Sequence, residues 1–464
     1  MTEMNLPAEM AALRPGLKGI VAEGLERAPW FSVLLSSRQG LTISVDNREE
    51  NVSELAPSRG TVLSAFDGAT IYERALAGFD ADEVRGAGRE FVRGINFQKY
   101  KSPEQPEQTA DFATPVKIDP MRLSVQEKLD RCRELHKRLQ GRDPRLVNAR
   151  VNYMEFNEHS IFAGRSTDLA QRVQRIRLSV FVVVAGQDGQ IQYDILGKSG
   201  GAGWEVLDYT DEELDKVVKG AVDLLSAERI EPGEYWCISS PGVSGTICHE
   251  SFGHGVETDM FLKQRARAAQ FIDKRVGSDL VYIGDDPSMP GPFGSYFFDD
   301  EGQLASPTTI VEDGLFRRGI TDKYSATALG IPRSANGRRQ DFSRKAYARM
   351  SNTFFGAGKT SLEDMLAQVD YGIYLDKWSS GMEDPLGWGI QVTCHYGHEI
   401  RNGRITDKVF APVGISGYVP EVLGSITAVG DRLLMDGGHC GKGHKEIVPV
   451  ASGGPHLLMK ARLG

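Results

Sequence analysis

The pattern of the chain changes near residue 230, and this change limits the folds available to it. Before that point, alternating apolar and polar runs typical of strands are separated by segments with apolar residues at helical spacing. After it come short strand-like runs broken by glycine, proline and aspartate, such as "VYIGDDPSMPGPFGSYFFDDEGQ". We therefore expect an α+β protein, with a mixed α/β N-terminal region (residues 1–230) and a β-rich C-terminal domain (residues 231–464) that carries the functional site. A length of 464 residues suits two or three domains.

Local signals within the N-terminal region predict its helices and turns. Capping boxes at 124–127 (S-V-Q-E) and 210–213 (T-D-E-E) each precede apolar residues at helical spacing and predict helix starts. The sequence "QDGQ" predicts a hairpin turn at 188–189, and the runs on either side of "RQG" in "FSVLLSSRQGLTISVDN" predict an earlier hairpin. The polar, proline-bearing stretch 101–115 predicts a linker or a long surface loop.

Composition excludes several classes of function. The formal net charge is −9 at pH 7 and there is no long basic run, so direct nucleic-acid binding is not expected. The longest apolar run, "SVFVVVA" at 179–185, is far too short to span a membrane. The five cysteines are odd in number, widely spaced and without a C-x-x-C pair, which fits a reducing compartment. The first residues show no signal-peptide pattern, and we therefore expect a cytoplasmic protein.

The stretch "GTICHESFGHGVETD" at 245–259 indicates a metal site. His249, Glu250 and His254 nearly form the H-E-x-x-H signature of zinc proteases, but the histidines are five residues apart instead of four. An α-helix places such a pair about 140° apart around its axis, so a regular helix cannot hold one metal with both. We expect a π-bulge to bring them onto one face, at a cost that Gly253 lowers. Glu250 would then be free to take a proton from a metal-bound water.

A catalytic zinc site needs a third protein ligand, and residue chemistry alone leaves its identity open. The candidates share a thiol, an imidazole or a carboxylate as donor group, and they are Cys440, Cys394, His398, Glu257 and Asp259. A fourth ligand from His439 or His444, on either side of Cys440 in "DGGHCGKGHKE", would close the site and favour a structural role for the metal.

Several blocks of this sequence together resemble the TldD/PmbA family, and specifically its TldD-type, metal-bearing members. The blocks are "HESFGHGVETD", "RMSNTFF" (349–355), "EIRNGRI" (399–405) and "LGSITAVGDRLLMDGGHCGKG" (423–443), and they occur in the family's order. The resemblance covers the whole chain loosely and residues 240–450 well. Partner-type members, PmbA or TldE, resemble the fold but lack the metal residues.

The resemblance implies a function and a set of site residues. Carried over by position, His249, His254 and Cys440 are metal ligands, and Glu250 is the catalytic glutamate. The family implies a cytoplasmic zinc-dependent peptidase that acts on unfolded or flexible peptides in a chamber between two subunits. The second subunit is either a copy of the same chain or a metal-free TldE/PmbA-like partner. A peptide held as an added β-strand suits such an enzyme.

Three further residues are candidate substrate contacts. Arg349 and Asn352 in "RMSNT" could donate hydrogen bonds to the carbonyl groups of an extended peptide, and His398 could line the pocket. The block "TCHYGHEI", which brings Cys394 and His395 next to His398, departs from the usual family pattern. It leaves open a metallohydrolase that releases a modified amino acid or peptide from a carrier protein. A non-catalytic scaffold subunit of a TldD/TldE-like heterodimer is the other alternative.

Overall fold

The computed structural model describes residues 4–103, 106–443 and 446–464, and its N-terminal half builds one large sheet with helices against it. The helices are α1 (Ala8–Leu25), α2 (Ala81–Arg93), α3 (Val125–Leu139) and α4 (Asp211–Asp223). The strands are β1 (Trp30–Asp46), β2 (Glu50–Phe66), β3 (Ile71–Ala77), β4 (Gln108–Ala113), β5 (Leu146–Ala163), β6 (Thr167–Ala185) and β7 (Ile191–Gly200).

The N-terminal sheet has the strand order β3-β2-β1-β5-β6-β4, with β7 paired along the second half of β6. Its central strands are long enough to carry two separate hydrophobic clusters. Near one end, Leu17 of α1 and Phe31 of β1 belong to one buried cluster. Near the other end, Leu135 of α3 and Leu214 of α4 belong to the second. Helices therefore cover the long antiparallel strands near both of their ends.

Some of the local sequence signals are confirmed. Both predicted capping boxes are present, at the starts of α3 and α4. The predicted turn between β6 and β7 is also present, and Gly189 has a φ of +83°, which favours glycine.

Two predictions for this half are wrong. The runs around "RQG" belong to the single strand β1, whose register against β2 shifts between Arg38 and Gly40. A β-bulge interrupts the alternation there, and a Cβ on Gly40 would lie 2.6 Å from the Glu155 carbonyl oxygen. The stretch 101–115, expected to be linker-like, contains β4, which pairs in parallel with β6. The Phe112 ring of β4 also stacks on Phe297 of the C-terminal half.

The C-terminal half contains short helices and many strands, as predicted. The helices are α5 (Pro241–Phe252), α6 (Thr258–Leu262), α7 (Lys323–Leu329), α8 (Leu362–Leu366) and α9 (Val419–Gly424). The strands are β8 (Gly233–Ser239), β9 (Ile283–Asp285), β10 (Thr308–Glu312), β11 (Leu315–Phe316), β12 (Gly337–Arg338), β13 (Tyr347–Ala348), β14 (Asn352–Phe355), β15 (Tyr371–Asp384), β16 (Gly389–Arg401), β17 (Arg404–Phe410), β18 (Val413–Tyr418), β19 (Ala428–Val429), β20 (Leu434–Lys442), β21 (Glu446–Gly454) and β22 (Leu457–Leu463).

Most of these strands form a closed barrel and a separate sheet, while β12 and β13 pair with each other. The barrel runs β15-β8-β22-β18-β16 and closes through the pairing of β15 with β16. The sheet has the order β11-β10-β9-β14-β21-β20. Helix α5 contacts β15 and β16 of the barrel and β14, β20 and β21 of the sheet, so it lies between the two. Its Ile247 and Phe252 are fully buried in the main hydrophobic cluster of this half.

The two halves also contact each other through hydrogen bonds. The Nε of Arg175 on β6 donates to the Phe293 carbonyl at 2.7 Å, and Gln171 donates to the Phe298 carbonyl at 3.0 Å.

The α+β fold and its β-rich C-terminal half are as the sequence predicts. Over the described residues, no helix combines the length and the apolar character that crossing a membrane requires.

Candidate metal centre

The two histidines of the "HESFGH" stretch come together because α5 ends between them. Helix α5 starts with a proline in its first turn and ends at Phe252, and His254 begins a separate 3₁₀ turn, His254–Val256. The rings of His249 and His254 lie 5.0 Å apart between centroids and nearly perpendicular. The predicted π-bulge is therefore wrong, since a helix end rather than a wider turn places both imidazoles on one side.

Glycine at position 253 is required by packing. Its backbone angles are φ −92° and ψ −79°, outside the left-handed region. A Cβ at this position would lie 2.1 Å from the sulfur of Met350 and 2.3 Å from the carbonyl oxygen of His249. The chain can leave the helix here only because Gly253 has no side chain.

The third donor comes from the far end of the sequence. Cys440 lies on β20 and is 4% exposed, with its Sγ 3.1 Å from Nε2 of His254. Burial would raise the pKa of the Cys440 thiol, but the charge of His254 and hydrogen bonds from both histidines bring it well below its usual value. This favours the thiolate, which is the form that binds metals.

The donor atoms of His249, His254 and Cys440 all lie within 4.8 Å of one another. Donors that share one zinc ion at bond lengths of about 2.0 to 2.3 Å lie roughly 3.4 to 3.6 Å apart, so small side-chain rotations suffice. Two imidazoles and a thiolate are donors that zinc favours, and three protein ligands leave a position open for substrate or water. The residues present therefore fit a catalytic zinc ion.

Glu250 lies beside this donor set together with a second acid, Glu383, which the sequence did not indicate. The carboxylates of Glu250 and Glu383 and a nitrogen of His254 form a further group within 4.8 Å of one another. Burial and a hydrogen bond with Glu383 raise the pKa of Glu250 to about 7, against the lowering effect of both histidines. Glu383 reaches this place because β15 passes so close to α5 that a Cβ on Gly381 would lie 2.5 Å from Glu250 Oε1.

Glu257, one of the candidate third ligands, instead orients His254 from behind. Its Oε2 lies 3.3 Å from His254 Nδ1, on the opposite side of the ring from Cys440. Burial would raise the pKa of Glu257, but Lys442 and then His254 lower it to about 2. A carboxylate that accepts from Nδ1 leaves Nε2 free to bind a metal, as is common around metal-bound histidines.

The structure places the remaining candidate ligands away from the three donors. Asp259 pairs with Lys442 and Lys263, and Cys394 is fully buried on β16 in the barrel core. His439 precedes Cys440 on β20, but its ring packs edge-on against Phe293, with the centroids 5.5 Å apart. His444 lies outside the described residues.

The three predicted substrate contacts do not line the pocket into which the three donors open. Arg349 is 1% exposed and donates to the carbonyl of Cys440 at 2.6 Å. Asn352 is fully buried and donates to the carbonyl of Asp286 at 2.7 Å. His398 lies on β16 next to the ring of Tyr396. The neighbouring His395 contacts the Tyr193 carbonyl on β7, so this histidine of the unusual "TCHYGHEI" block faces the N-terminal half.

The donors open into a pocket of about 410 Å³ between α5, β15 and β20. Its lining combines the three donors and the two glutamates with further residues of α5, β15, β20 and β21. The residues are Thr246, His249, Glu250, His254, Trp378, Ser380, Gly381, Glu383, Asp436, Gly438, His439, Cys440, Gly441, Val450 and Ser452. A pocket with a metal donor set and an adjacent carboxylate defines a candidate metalloenzyme centre.

Comparison with known proteins identifies the family. Models of the PmbA/TldA metallopeptidase central and C-terminal domains match residues 118–228 and 232–462. The chain therefore belongs to the PmbA/TldD family of metallopeptidases. An Archaeoglobus fulgidus protein named metalloprotease is 30% identical over 349 residues, which are 75% of this chain and 80% of that protein.

A second sequence relative and a solved structure are also similar to this chain. A Saccharolobus solfataricus protein named zinc metalloprotease TldD homolog is 27% identical over 338 residues, 72% of this chain and 75% of the relative. The crystal structure of TldE from Thermococcus kodakarensis superimposes with a TM-score of 0.73 at 16% identity and covers 96% of this chain and 99% of that one. This structural similarity shows the fold alone.

Proposed function

We propose that the chain is a TldD-type member of its family, a zinc-dependent peptidase with Glu250 as its proton-transfer residue. The observation that carries this proposal is the meeting of His249, His254 and Cys440 within 4.8 Å of one another in a pocket that Glu250 also lines. A partner-type member would lack these residues. The related protein named zinc metalloprotease supports the choice of zinc.

The residues of the pocket have separate roles in this proposal. Zinc held by His249, His254 and Cys440 would polarise the scissile carbonyl and lower the pKa of the attacking water. Glu250 is adjacent to His249 in sequence but outside the three-donor set, so its carboxylate remains available for the proton of that water. The same carboxylate then returns the proton to the leaving amine.

The position of β20 supports an extended peptide as substrate. This strand carries Cys440 and pairs with β21 on one side, while among the described residues no strand pairs with its other side. A peptide backbone could hydrogen-bond to that edge and pass the metal donors. Only an unfolded or flexible segment can adopt such a strand, which suits peptides better than folded proteins.

We further propose that the enzyme acts as a dimer whose subunits enclose the pocket. The similarity to TldE supports a metal-free partner of the same fold, and a homodimer is the alternative. Light scattering of the chain alone, and again after mixing with a TldE-type partner from the same organism, distinguishes the two arrangements. The cytoplasmic location predicted from the sequence is part of the same proposal.

The replacement Glu250→Gln tests the function, since it removes the proton acceptor and keeps the shape. Cleavage of an unfolded peptide should fall at least about 100-fold while the zinc content stays at the wild-type level. Glu234→Gln, on β8 with a 62% exposed side chain, is the control and should cleave normally. Undiminished cleavage by Glu250→Gln would refute the role of Glu250 in proton transfer.

The wild type distinguishes the alternative functions. Hydrolysis of small amide conjugates but not of peptides would favour release of a modified group from a carrier, and no hydrolysis by the wild type would favour a scaffold subunit.

A further inference from the structure

Two of the metal donors come from distant parts of the chain. His254 and Cys440 are 186 residues apart, and they lie on two separate elements, a 3₁₀ turn and an edge strand. A metal site needs its donors held to within a few tenths of an ångström, so other groups must fix these segments against each other.

Behind His254, a chain of charged contacts leads to the strand that carries Cys440. Glu257 Oε2 contacts His254 Nδ1 at 3.3 Å and Lys442 Nζ at 3.0 Å. The same Nζ lies 2.6 Å from Asp259 Oδ1, and Lys442 follows Cys440 by two residues on β20. Lys442 therefore connects the His254 segment to the Cys440 strand.

Arg349 makes a second connection from another part of the chain. Its Nη2 donates to the Cys440 carbonyl at 2.6 Å and its Nη1 to the Glu446 carbonyl at 3.2 Å, so it spans β20 and β21. Its Nε lies 3.8 Å from Glu257 Oε1. The neighbouring Ala348 carbonyl accepts from Lys442 at 3.0 Å. Three chain segments thus meet at one group of charges.

These charges are removed from solvent. The side chains of Glu257 and Arg349 are 2% and 1% exposed, and those of Asp259 and Lys442 are 6% and 11% exposed. Loss of one member of a buried charge group leaves its partners uncompensated, so the remaining side chains must move. Because Glu257 contacts His254 and Arg349 contacts the Cys440 carbonyl, movement of these side chains would displace His254 or Cys440.

We propose that Lys442, Glu257 and Arg349 are positioning residues that hold His254 and Cys440 at metal-binding distance. The inference rests on the proposed metal site and adds to it the part of the protein that sets the spacing of two ligands. It gives Lys442 of the "CGKG" block and Arg349 of the "RMSNT" block a shared role. Arg349 bonds to the backbone carbonyl of Cys440 and Lys442 to the carboxylate of Asp259, rather than to the imidazole nitrogens or the thiol sulfur that would bind the metal.

The test measures metal binding without relying on activity. Zinc affinity is determined by competition with a chromophoric chelator, and the site is examined with Co²⁺, whose absorption reports thiolate bonding and ligand geometry. Lys442→Met and Glu257→Gln should each weaken zinc binding about 10- to 100-fold and change the Co²⁺ spectrum. Lys442→Arg keeps the charge and should retain most of the affinity.

A matched control separates positioning from a general effect of charge. Lys263 also contacts Asp259, at 3.0 Å, but its side chain is 50% exposed, against 11% for that of Lys442. Lys263→Met should therefore bind zinc like the wild type. If Lys442→Met does not fold, Lys442→Arg and Glu257→Gln still decide the question.

The outcomes distinguish this inference from the function on which it rests. If the wild type binds zinc, and folded Lys442→Met and Glu257→Gln bind it equally well with the wild-type Co²⁺ spectrum, the network does not position the ligands. If the wild type binds no metal, the proposed function fails and the inference fails with it. Weaker binding in both variants, with retention in Lys442→Arg and Lys263→Met, supports the inference.

Discussion

The Nε2 atom of His254 lies 3.1 Å from the Sγ atom of Cys440, although 186 residues separate them in the sequence. One comes from the turn that follows α5, and the other comes from the edge strand β20. Together with His249, at the end of α5, they form a site whose spacing is set by tertiary structure. Changes that disturb the end of α5 or the pairing of the strands should therefore alter metal binding.

The end of α5 depends on Gly253. In Gly253→Ala, the new methyl group would meet the sulfur of Met350 and the carbonyl oxygen of His249, both closer than 3 Å. The backbone must shift, and we expect a loss of about 1 to 3 kcal/mol in unfolding free energy together with weaker zinc binding. Thermal unfolding and metal titration measure the two effects.

Gly86→Ala is the matched control for this change. Gly86 lies inside helix α2, and a Cβ there would meet nothing within 4 Å. Alanine favours a helix interior over glycine by about 1 kcal/mol, so this variant should be at least as stable as the wild type. Equal stability and zinc affinity in Gly253→Ala and Gly86→Ala would refute the packing argument.

The first half of the chain contains a buried ion pair whose removal should be costly. Lys128 Nζ lies 2.6 Å from Glu155 Oε1, with side chains 4% and 5% exposed, and Tyr153 hydrogen-bonds the same carboxylate. Lys128→Met leaves Glu155 without its cation, and we expect destabilisation by about 3 to 5 kcal/mol. Chemical denaturation of the purified variant measures this loss.

An exposed pair on the same half gives the comparison. Arg74 and Glu90 lie 2.7 Å apart, with side chains 38% and 71% exposed. Water screens such a pair, so Arg74→Met should cost at most about 1 kcal/mol. Similar losses for Arg74→Met and Lys128→Met would contradict the role assigned to burial.

Protonation of Asp46 should lower the stability of the folded protein in acid. Backbone hydrogen bonds from Arg48 and Glu49, and a side-chain bond from Arg150, lower its pKa to about 2 from an ordinary value of 3.8. The folded state therefore favours the ionised carboxylate. The stabilisation is fully present above about pH 4 and is lost as the pH falls towards 2.

Comparison with Asp46→Asn isolates this contribution. The difference in melting temperature between wild type and variant should be largest near neutral pH and should shrink as the pH falls from about 4 to 2. A difference that stayed constant over this range would show that ionisation of Asp46 does not contribute.

The local elements and the β-rich C-terminal half could be predicted from the sequence because their signals are short-range. Capping boxes and the "QDGQ" turn depend on neighbouring residues. The helix geometry that predicted a π-bulge assumed a continuous helix. The helix instead ends at Phe252, and Gly253 lies so close to Met350 that a Cβ would not fit there. Met350 is 97 positions further along the chain, so this contact gives no local signal.

Only part of the candidate metal site could be predicted from the sequence, because some of its residues are brought together by tertiary structure. Residue chemistry identified His249 and Glu250, but it left several donors open for the third ligand, and the family resemblance was needed to select Cys440. Glu383 had no motif, since its place beside Glu250 depends on where β15 passes α5. Arg349 was identified as a donor to carbonyl groups, and the carbonyls it contacts belong to the chain itself.

Metal analysis by mass spectrometry shows whether His249, His254 and Cys440 together bind one zinc ion. The purified wild type is compared with His254→Ala and Cys440→Ala, each checked for folding by circular dichroism. We predict about one zinc ion per wild-type chain and a loss of metal in both folded variants. A full complement of zinc in folded Cys440→Ala, or no metal in any wild-type preparation, would contradict it.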